Sequence, residues 1–205
     1  MDNAEFLDIF PVSVMKLKGG LDATYRSELS SIIQQQFTAH PKRKRNATWT
    51  GDVNGFGSLH LHPKISPLLQ VFRLAVSQYM GALGVNDEAL SIFVTRCWGT
   101  YSTERDAIAR HNHHNSSLSI VYYLNAPEGC SPITFHVGDH VNEFSPGLFN
   151  RQSVESGILQ PAMNMRNAPA VDLVVEEDLV VVFPSTLIHS VKSGASTKPR
   201  ISVAA

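Results

Sequence analysis

Residues 109–125, ARHNHHNSSLSIVYYLN, decide the fold, because a histidine cluster leads directly into an apolar run. Three of the chain's nine histidines, His111, His113 and His114, fall within four positions. The run LSIVYYLN that follows is rich in β-branched and aromatic residues, as strands are. Residues two apart on a strand point to the same face. We therefore expect His111 and His113 to project together and His114 to point away.

Similar short runs recur after residue 90 and indicate the fold class. Turn residues or irregular loops separate them, and no helical pattern alternates with them, which argues against a parallel βαβ sheet. We expect an all-β core, an antiparallel sandwich or barrel, with helices packed on the outside. The runs are SIFVTRCWGTY, LSIVYYLN, SPITFHV, DLVVVFP and RISVAA.

Two helices are predicted before this region. Residues 21–37 repeat apolar side chains at helical spacing. Ser66 and Pro67 are typical of a helix start, with the serine as N-cap, and Gly84 is expected to end that helix. Residues 5–16 alternate loosely and predict a short strand.

The length suits one domain. The chain has 205 residues, enough for a single well-packed core. We expect one domain over 1–205, divided into a helical N-terminal support region (1–90) and a catalytic β core (91–205). Residues 139–172 are polar and rich in Asn, Pro and Gly, and a loop of that length predicts a lid or substrate loop.

Composition and charge argue against several classes of protein. The chain is 43% hydrophobic, with 17 basic and 18 acidic residues, so a general nucleic-acid binder is not expected. The basic run at 42–45 predicts a solvated loop or, alternatively, an anion contact. The sequence contains no run of eighteen apolar residues, so we expect no membrane-spanning helix. The N-terminus does not resemble a secretory signal. Cys97 and Cys130 have no CxxC spacing, so a reducing, cytoplasmic setting is expected.

The histidines of 109–125 have a distant counterpart. His189 follows a very apolar run, and Arg200 lies on the final predicted strand. Two histidines and a carboxylate on one face, with open positions opposite, are typical of non-haem Fe(II) oxygenases. A buried arginine near such a site can bind a cosubstrate carboxylate through two hydrogen bonds. A second HxH pair, His60 and His62, precedes no cluster of strands and is interpreted as structural.

The chain resembles the Fe(II)- and 2-oxoglutarate-dependent oxygenases, most of all a branch found in bacteria and phages. The similarity follows the chain in order and covers most of it. The histidine block and the terminal His…Arg-x-Ser pattern are its specific parts. The matching segments are IFPVSVMKL, WTGDVNG, CWGTY, HNHHNSSLSIVYYLN, FPSTLIHSV and RISVA.

This resemblance implies a fold and a chemistry. The fold is a double-stranded β-helix, a cupin-like jelly roll, with the N-terminal helices packed on one sheet. The cofactors are Fe(II), dioxygen and 2-oxoglutarate, which is decarboxylated to succinate. By motif position, His111 and His189 correspond to the family's metal histidines, and Arg200 to the residue that binds the far carboxylate of 2-oxoglutarate.

The resemblance also implies two further cosubstrate contacts and leaves one metal ligand open. Tyr123 corresponds to a tyrosine that assists the arginine in related prolyl hydroxylases, and Ser202 shares the strand face of Arg200. The wider superfamily carries Asp or Glu where this chain has His113. We take His113 as the third ligand, which makes the site one charge more positive than a carboxylate would. Asp139 is an alternative, and a missing third ligand, as in related halogenases, is another.

Other histidines and aromatic residues are assigned structural parts. His136 and His140 flank a turn and are expected to be structural or exposed, with a substrate contact as the alternative. Trp98 and Tyr101 are interpreted as core or pocket wall.

The expected activity is hydroxylation of an unactivated C–H bond in an amino acid, a peptide or a small natural product. The residues that select this substrate are expected in 139–172 and in the loops near 50–62. One alternative is a three-histidine cupin-type dioxygenase that does not use 2-oxoglutarate. Another is a non-catalytic jelly-roll binding protein. No membrane partner is expected, and jelly-roll enzymes often dimerise, so a homodimer is one option.

Overall fold

The computed structural model of the chain describes residues 5–39, 57–104, 106–139, 142–162 and 164–205. The basic run at 42–45 lies outside these ranges, and so does most of the predicted substrate loop near 50–62. Within the described ranges, no helix is both long enough and apolar enough to cross a membrane.

The described residues of the N-terminal part form one short strand and two long helices. They are β1 (Met15–Lys18), α1 (Ala23–Ala39) and α2 (Ser66–Ala82). Single-turn 3-10 helices occupy Leu59–Leu61, Pro63–Ile65 and Asp87–Ala89. Both predicted helices are confirmed, and Gly84 follows α2 with a φ of 76°, a conformation common just after helix ends.

Two local predictions differ from the structure. No strand covers most of 5–16: β1 begins at Met15 and continues to Lys18, where a partner strand exists. Ser66 is the first residue of α2 and not its cap, because Ile65 occupies the cap position in a helical conformation that continues from the preceding 3-10 turn.

In the C-terminal part, the residues that the structure describes form eight strands and one short helix. The strands are β2 (Trp98–Ser102), β3 (Ile108–His111), β4 (Leu118–Asn125), β5 (Ile133–His136), β6 (Ala170–Leu173), β7 (Leu179–Pro184), β8 (His189–Val191) and β9 (Arg200–Ala204). The helix is α3 (Arg151–Glu155). The predicted loop 139–172 therefore carries α3 and the beginning of β6, and is not irregular throughout.

The strands form two antiparallel sheets. The larger sheet has the order β1-β7-β4-β9-β2, and the smaller has the order β3-β8-β5-β6. Helices α1 and α2 pack against strands of the larger sheet. The expected all-β core, with N-terminal helices on one sheet, is confirmed. The division at residue 90 stays a prediction, and β1 shows that the N-terminal region also contributes a strand.

Alternation along two central strands separates the core into two layers. On β7, Val180 and Val182 contact the helix-side cluster, whereas Val181 and Phe183 contact the cluster between the sheets. The strand is buried on both faces, which explains its unbroken apolar sequence. On β4, Tyr122 belongs to the helix side and Tyr123 to the interior between the sheets. The strand period thus directs Tyr123 inward.

Candidate metal centre

His111 and His189 are paired directly across two strands of the smaller sheet. His111 ends β3, His189 begins β8, and the two are Cα partners in the antiparallel ladder. Their ring centroids lie 4.2 Å apart. His111 and His189 are far apart in the sequence, so the pairing of β3 with β8 is what brings the two imidazoles together.

A backbone carbonyl fixes the tautomer of both rings. His111 Nδ1 lies 2.8 Å from the Ala109 carbonyl oxygen, and His189 Nδ1 lies 2.9 Å from that of Leu187. A carbonyl oxygen only accepts, so Nδ1 carries the hydrogen in each ring. The lone pair is then on Nε2. A ring N–H bonded to a backbone carbonyl in this way is typical of metal-binding histidines.

His113 lies beside the other two histidines, but strand alternation does not place it there as predicted. The strand β3 ends at His111, so strand alternation does not orient His113. Its backbone N–H instead donates to the Ser185 carbonyl at 2.8 Å. Ser185 follows β7 and is buried, with its hydroxyl 2.9 Å from those of Ser116 and Ser119. A long-range contact, and not the local period, positions this histidine.

The three histidines form a group that could hold a metal ion. One ligand atom from each of His111, His113 and His189 lies within 4.8 Å of the other two. Burial lowers the pKa of His189 to about 4, with the Leu187 carbonyl opposing that shift and His111 and His113 adding to it. Burial, followed by the charge of His111, also lowers the pKa of His113. Neutral imidazole is the form that binds metal.

Arg200 is buried without an acidic partner. It is 4% exposed, and its Nη1 donates to the Ser131 carbonyl at 3.0 Å. Its Nε is buried with no hydrogen-bond partner, and no carboxylate among the described residues pairs with it. A buried charge is costly unless an opposite charge compensates it. This guanidinium therefore has the properties of an anion-binding group.

Tyr123 and Ser202 lie next to this arginine. The two are Cα partners across β4 and β9, and the Arg200 guanidinium carbon lies 5.9 Å from the Tyr123 ring centroid. Burial raises the pKa of Tyr123 to about 12, so its phenol stays protonated and can donate. All three side chains are at least nine-tenths buried.

A single cavity connects the histidines with this polar group. It has a volume of about 50 Å³, and its walls include His111, His113, His189, Arg200, Tyr123 and Ser202. The structure thus brings together all six predicted site residues. Trp98 is also in the wall, with its ring centroid 5.9 Å from that of His113, whereas Tyr101 packs on Phe37 of α1.

Sequence reasoning missed the hydroxyl groups of this cavity. Thr100 and Ser119 line it, and both are buried. Thr100 shares a face of β2 with Trp98 and lies opposite Ser202. Strand alternation within CWGTY could have placed Thr100 beside Trp98, but nothing in one sequence shows that this face is the inner one.

The remaining candidates do not join the site. His62 Nδ1 accepts a hydrogen bond from the Lys64 N–H at the start of a 3-10 turn, a structural part. His136 Nε2 lies 2.7 Å from the Ser190 hydroxyl, and His136 is not part of the group of three. Asp139 and His114 are exposed, and neither belongs to the group of three. His140 lies outside the described residues.

A jelly roll that gathers three histidines and a buried, uncompensated arginine in one cavity defines a non-haem iron oxygenase of the 2-oxoglutarate-dependent class. The family model described as "Putative 2OG-Fe(II) oxygenase" matches residues 96–205, more than half of the chain. The chain belongs to this family, whose cofactors are Fe(II) and 2-oxoglutarate. The three histidines, two of them with Nδ1 bonded to a backbone carbonyl, fit a ferrous ion.

Solved structures support the fold. A Pseudomonas putida prolyl-4-hydroxylase is 15% identical, with a TM-score of 0.53 over 94% of this chain and 85% of that one. HygX from Streptomyces hygroscopicus, with nickel and 2-oxoglutarate bound, is 14% identical, with a TM-score of 0.54 over 94% and 81%.

SnoN, an α-ketoglutarate-dependent epimerase of nogalamycin biosynthesis, is 16% identical, with a TM-score of 0.53 over 94% of this chain and 77% of that one. The comparison with curated proteins finds no match. At these identities the likeness to solved structures concerns the fold alone.

Proposed function

We propose that this protein is an Fe(II)- and 2-oxoglutarate-dependent dioxygenase that hydroxylates an unactivated C–H bond. One observation carries the proposal: the buried Arg200, without a carboxylate partner among the described residues, lines the same cavity as the three histidines. A metal group alone would suit many enzymes. An uncompensated guanidinium in the same cavity suits a cosubstrate that binds the metal at one end and carries a carboxylate at the other.

In this proposal His111, His113 and His189 are the protein ligands of the iron. The Ala109 and Leu187 carbonyls hold two of the rings with Nε2 as the ligand atom, and the Ser185 carbonyl holds the backbone of the third. These three ligands would leave other positions at the metal open for the cosubstrate. Together, Fe(II) and 2-oxoglutarate supply oxidation by dioxygen, with release of carbon dioxide and succinate.

Arg200 is the proposed partner of the far carboxylate of 2-oxoglutarate, assisted by Tyr123 and Ser202. The guanidinium carries only donors, and the Tyr123 phenol stays protonated, so both can donate to an anion. The Ser131 carbonyl restricts rotation of the guanidinium through Nη1. A pre-oriented donor loses less entropy when the anion binds.

The apolar part of the cavity wall would exclude water. Phe183 is fully buried, and its ring centroid lies 4.9 Å from that of His189. Ile133 and Val191 also line the cavity. A dry site strengthens the interaction of Arg200 with a carboxylate and limits side reactions at the metal.

Hydroxylation of an amino acid, a peptide or a small natural product is the proposed outcome. The hydroxylase activity of the Pseudomonas putida protein on this fold supports it. The similar structure of SnoN is that of an epimerase, so one fold serves more than one reaction. The reaction products must therefore be measured. A homodimer and a cytoplasmic location stay predictions from the sequence.

The test is turnover with purified protein and Fe(II), measured as oxygen uptake and as succinate formed from 2-oxoglutarate. We expect oxygen uptake that requires both Fe(II) and 2-oxoglutarate and is lost in His189→Ala. Uptake that requires Fe(II) but not 2-oxoglutarate would instead support a three-histidine dioxygenase. A wild type that binds neither Fe(II) nor 2-oxoglutarate would support a non-catalytic binding protein.

A further inference from the structure

Ser102 has a buried hydroxyl that forms no hydrogen bond within the described part of the chain. It ends β2 and is 7% exposed, and its Oγ has no partner among the described residues. A buried hydroxyl without a hydrogen-bond partner destabilises the folded protein, because it has lost its bonds to water. Such a group is unusual and calls for a ligand or another explanation.

The second orphaned atom of this region belongs to the residue opposite. Ser102 and Arg200 are Cα partners in the antiparallel β2–β9 ladder, so their side chains leave the sheet on the same face. The Oγ of one and the Nε of the other are both buried and unpaired. At this one pair of the ladder, both the serine hydroxyl and the arginine Nε lack a hydrogen-bond partner among the described residues.

The geometry of the guanidinium identifies which edge remains available. Nη1 is engaged by the Ser131 carbonyl, and Nε is not engaged. A carboxylate can bind a guanidinium side-on through Nε and the neighbouring Nη2, with two parallel hydrogen bonds. The edge that contains Nε is therefore the one on which an incoming carboxylate can be received.

Ser102 and Arg200 also line one small cleft, of about 20 Å³. Arg200 and Val191 line both this cleft and the larger cavity with the histidines, so the arginine lies where the two spaces adjoin. A space of this size accommodates about one water-sized atom. It can take one carboxylate oxygen, while the rest of the cosubstrate occupies the larger cavity.

We propose that Ser102 is a further cosubstrate-binding residue, whose hydroxyl donates to the carboxylate received on the Nε edge of Arg200. This inference rests on the proposed function, because it assumes that 2-oxoglutarate is the ligand of Arg200. Ser102 would act only on the end of the cosubstrate that is remote from the metal. It therefore sets affinity and selectivity for a dicarboxylate, and not metal binding.

The test is calorimetric binding of two ligands to the Fe(II)-loaded protein without oxygen. 2-Oxoglutarate carries the remote carboxylate, and 2-oxobutyrate has the same metal-binding end without it. We expect Ser102→Ala to weaken 2-oxoglutarate binding about tenfold, as loss of a hydrogen bond to a charged group does. Binding of 2-oxobutyrate and of Fe(II) should be unchanged.

Ser196→Ala is the matched control. Ser196 lines the same cleft, but its hydroxyl already donates to the Lys198 carbonyl and accepts from the Lys198 N–H. Its 2-oxoglutarate affinity should equal that of the wild type. Thermal unfolding of each variant then separates a binding effect from a loss of fold.

The outcomes distinguish this inference from the proposed function. If the wild type binds 2-oxoglutarate and Ser102→Ala binds it equally well, the Ser102 inference fails and the proposed function stands. Equal weakening of both ligands would also overturn the inference, because the effect would not concern the remote carboxylate. If the wild type binds Fe(II) but no 2-oxoglutarate, the proposed function fails, and the inference fails with it.

Discussion

His111 and His189 are Cα partners in one antiparallel ladder, and each donates its Nδ1 hydrogen to the carbonyl two residues before it. The two residues thus share a hydrogen-bond pattern as well as a ladder position. Both rings are oriented by their own backbone, so the pair is prepared for a metal ion by strand geometry.

The first prediction concerns this pair. His189→Ala should weaken Fe(II) binding by more than about a hundredfold, since losing even a hydrogen-bond partner of a metal ligand lowers affinity about 10–100-fold. Calorimetric titration with Fe(II) under anaerobic conditions measures it. His114→Ala is the control from the same histidine run: it is exposed and outside the group of three, and it should bind like the wild type.

A second pair of variants decides the third ligand. His113→Ala should weaken Fe(II) binding at least about tenfold, because it removes one of three ligands. Asp139→Asn should leave binding unchanged, since Asp139 is exposed and outside the group. The same titration measures both, and the reverse result would make Asp139 the ligand.

The third prediction separates the stability of the protein from its cosubstrate binding. Arg200→Met should abolish binding of 2-oxoglutarate, yet lower the free energy of unfolding of the ligand-free protein by no more than about 1 kcal/mol. The reason is that the variant removes a buried charge with which no carboxylate among the described residues pairs, and so removes its desolvation cost. Urea unfolding, with and without 2-oxoglutarate, measures both quantities.

The control for Arg200→Met is the wild type itself under the same conditions. Ligand that binds only the folded state raises stability by about 2.7 kcal/mol at a concentration a hundredfold above the dissociation constant. This increment should appear in the wild type and be absent from the variant. A large loss of stability without ligand would mean that Arg200 is chiefly a structural residue.

The fourth prediction tests how the helices pack on the larger sheet. A Cβ on Gly99 would lie 2.6 Å from Cγ1 and 2.9 Å from Cγ2 of Ile33, both on a stiff β-branched side chain. Gly99→Ala should therefore destabilise the protein by about 1–3 kcal/mol. Urea unfolding monitored by circular dichroism measures the change.

Gly81 in α2 provides the matched substitution. A Cβ there would meet no atom within 4 Å, so Gly81→Ala should stabilise the helix by about 0.5–1 kcal/mol. If Gly99→Ala and Gly81→Ala change stability equally, α1 does not pack on β2 as closely as described.

The parts that the sequence predicted well are those with a strong local pattern. LSIVYYLN is β4 from its first residue to its last, because eight residues of strand composition, flanked by polar residues, leave little ambiguity. The sequence also predicts the strand in DLVVVFP clearly. Both faces of this strand are buried, so its apolar run is unbroken. The inward orientation of Tyr123 then follows from the two-residue alternation of β4.

The parts that the sequence could not predict depend on distant contacts. Strand alternation predicts that His113 lies beside His111. That reason is wrong, because β3 ends at His111. The bond that positions it joins residues 113 and 185, and a local pattern contains no information about such a pair. The four residues of β6 were missed because so short a strand shows no clear period within a polar segment.

The placement of the three histidines has a mechanical consequence. His111 and His189 belong to the smaller sheet, whereas His113 is attached through Ser185 to the end of β7 in the larger sheet. A metal ion shared by all three would cross-link the two layers at one end of the sandwich. Part of its binding free energy would then hold the sheets together, and a chelator would loosen the protein at that end first.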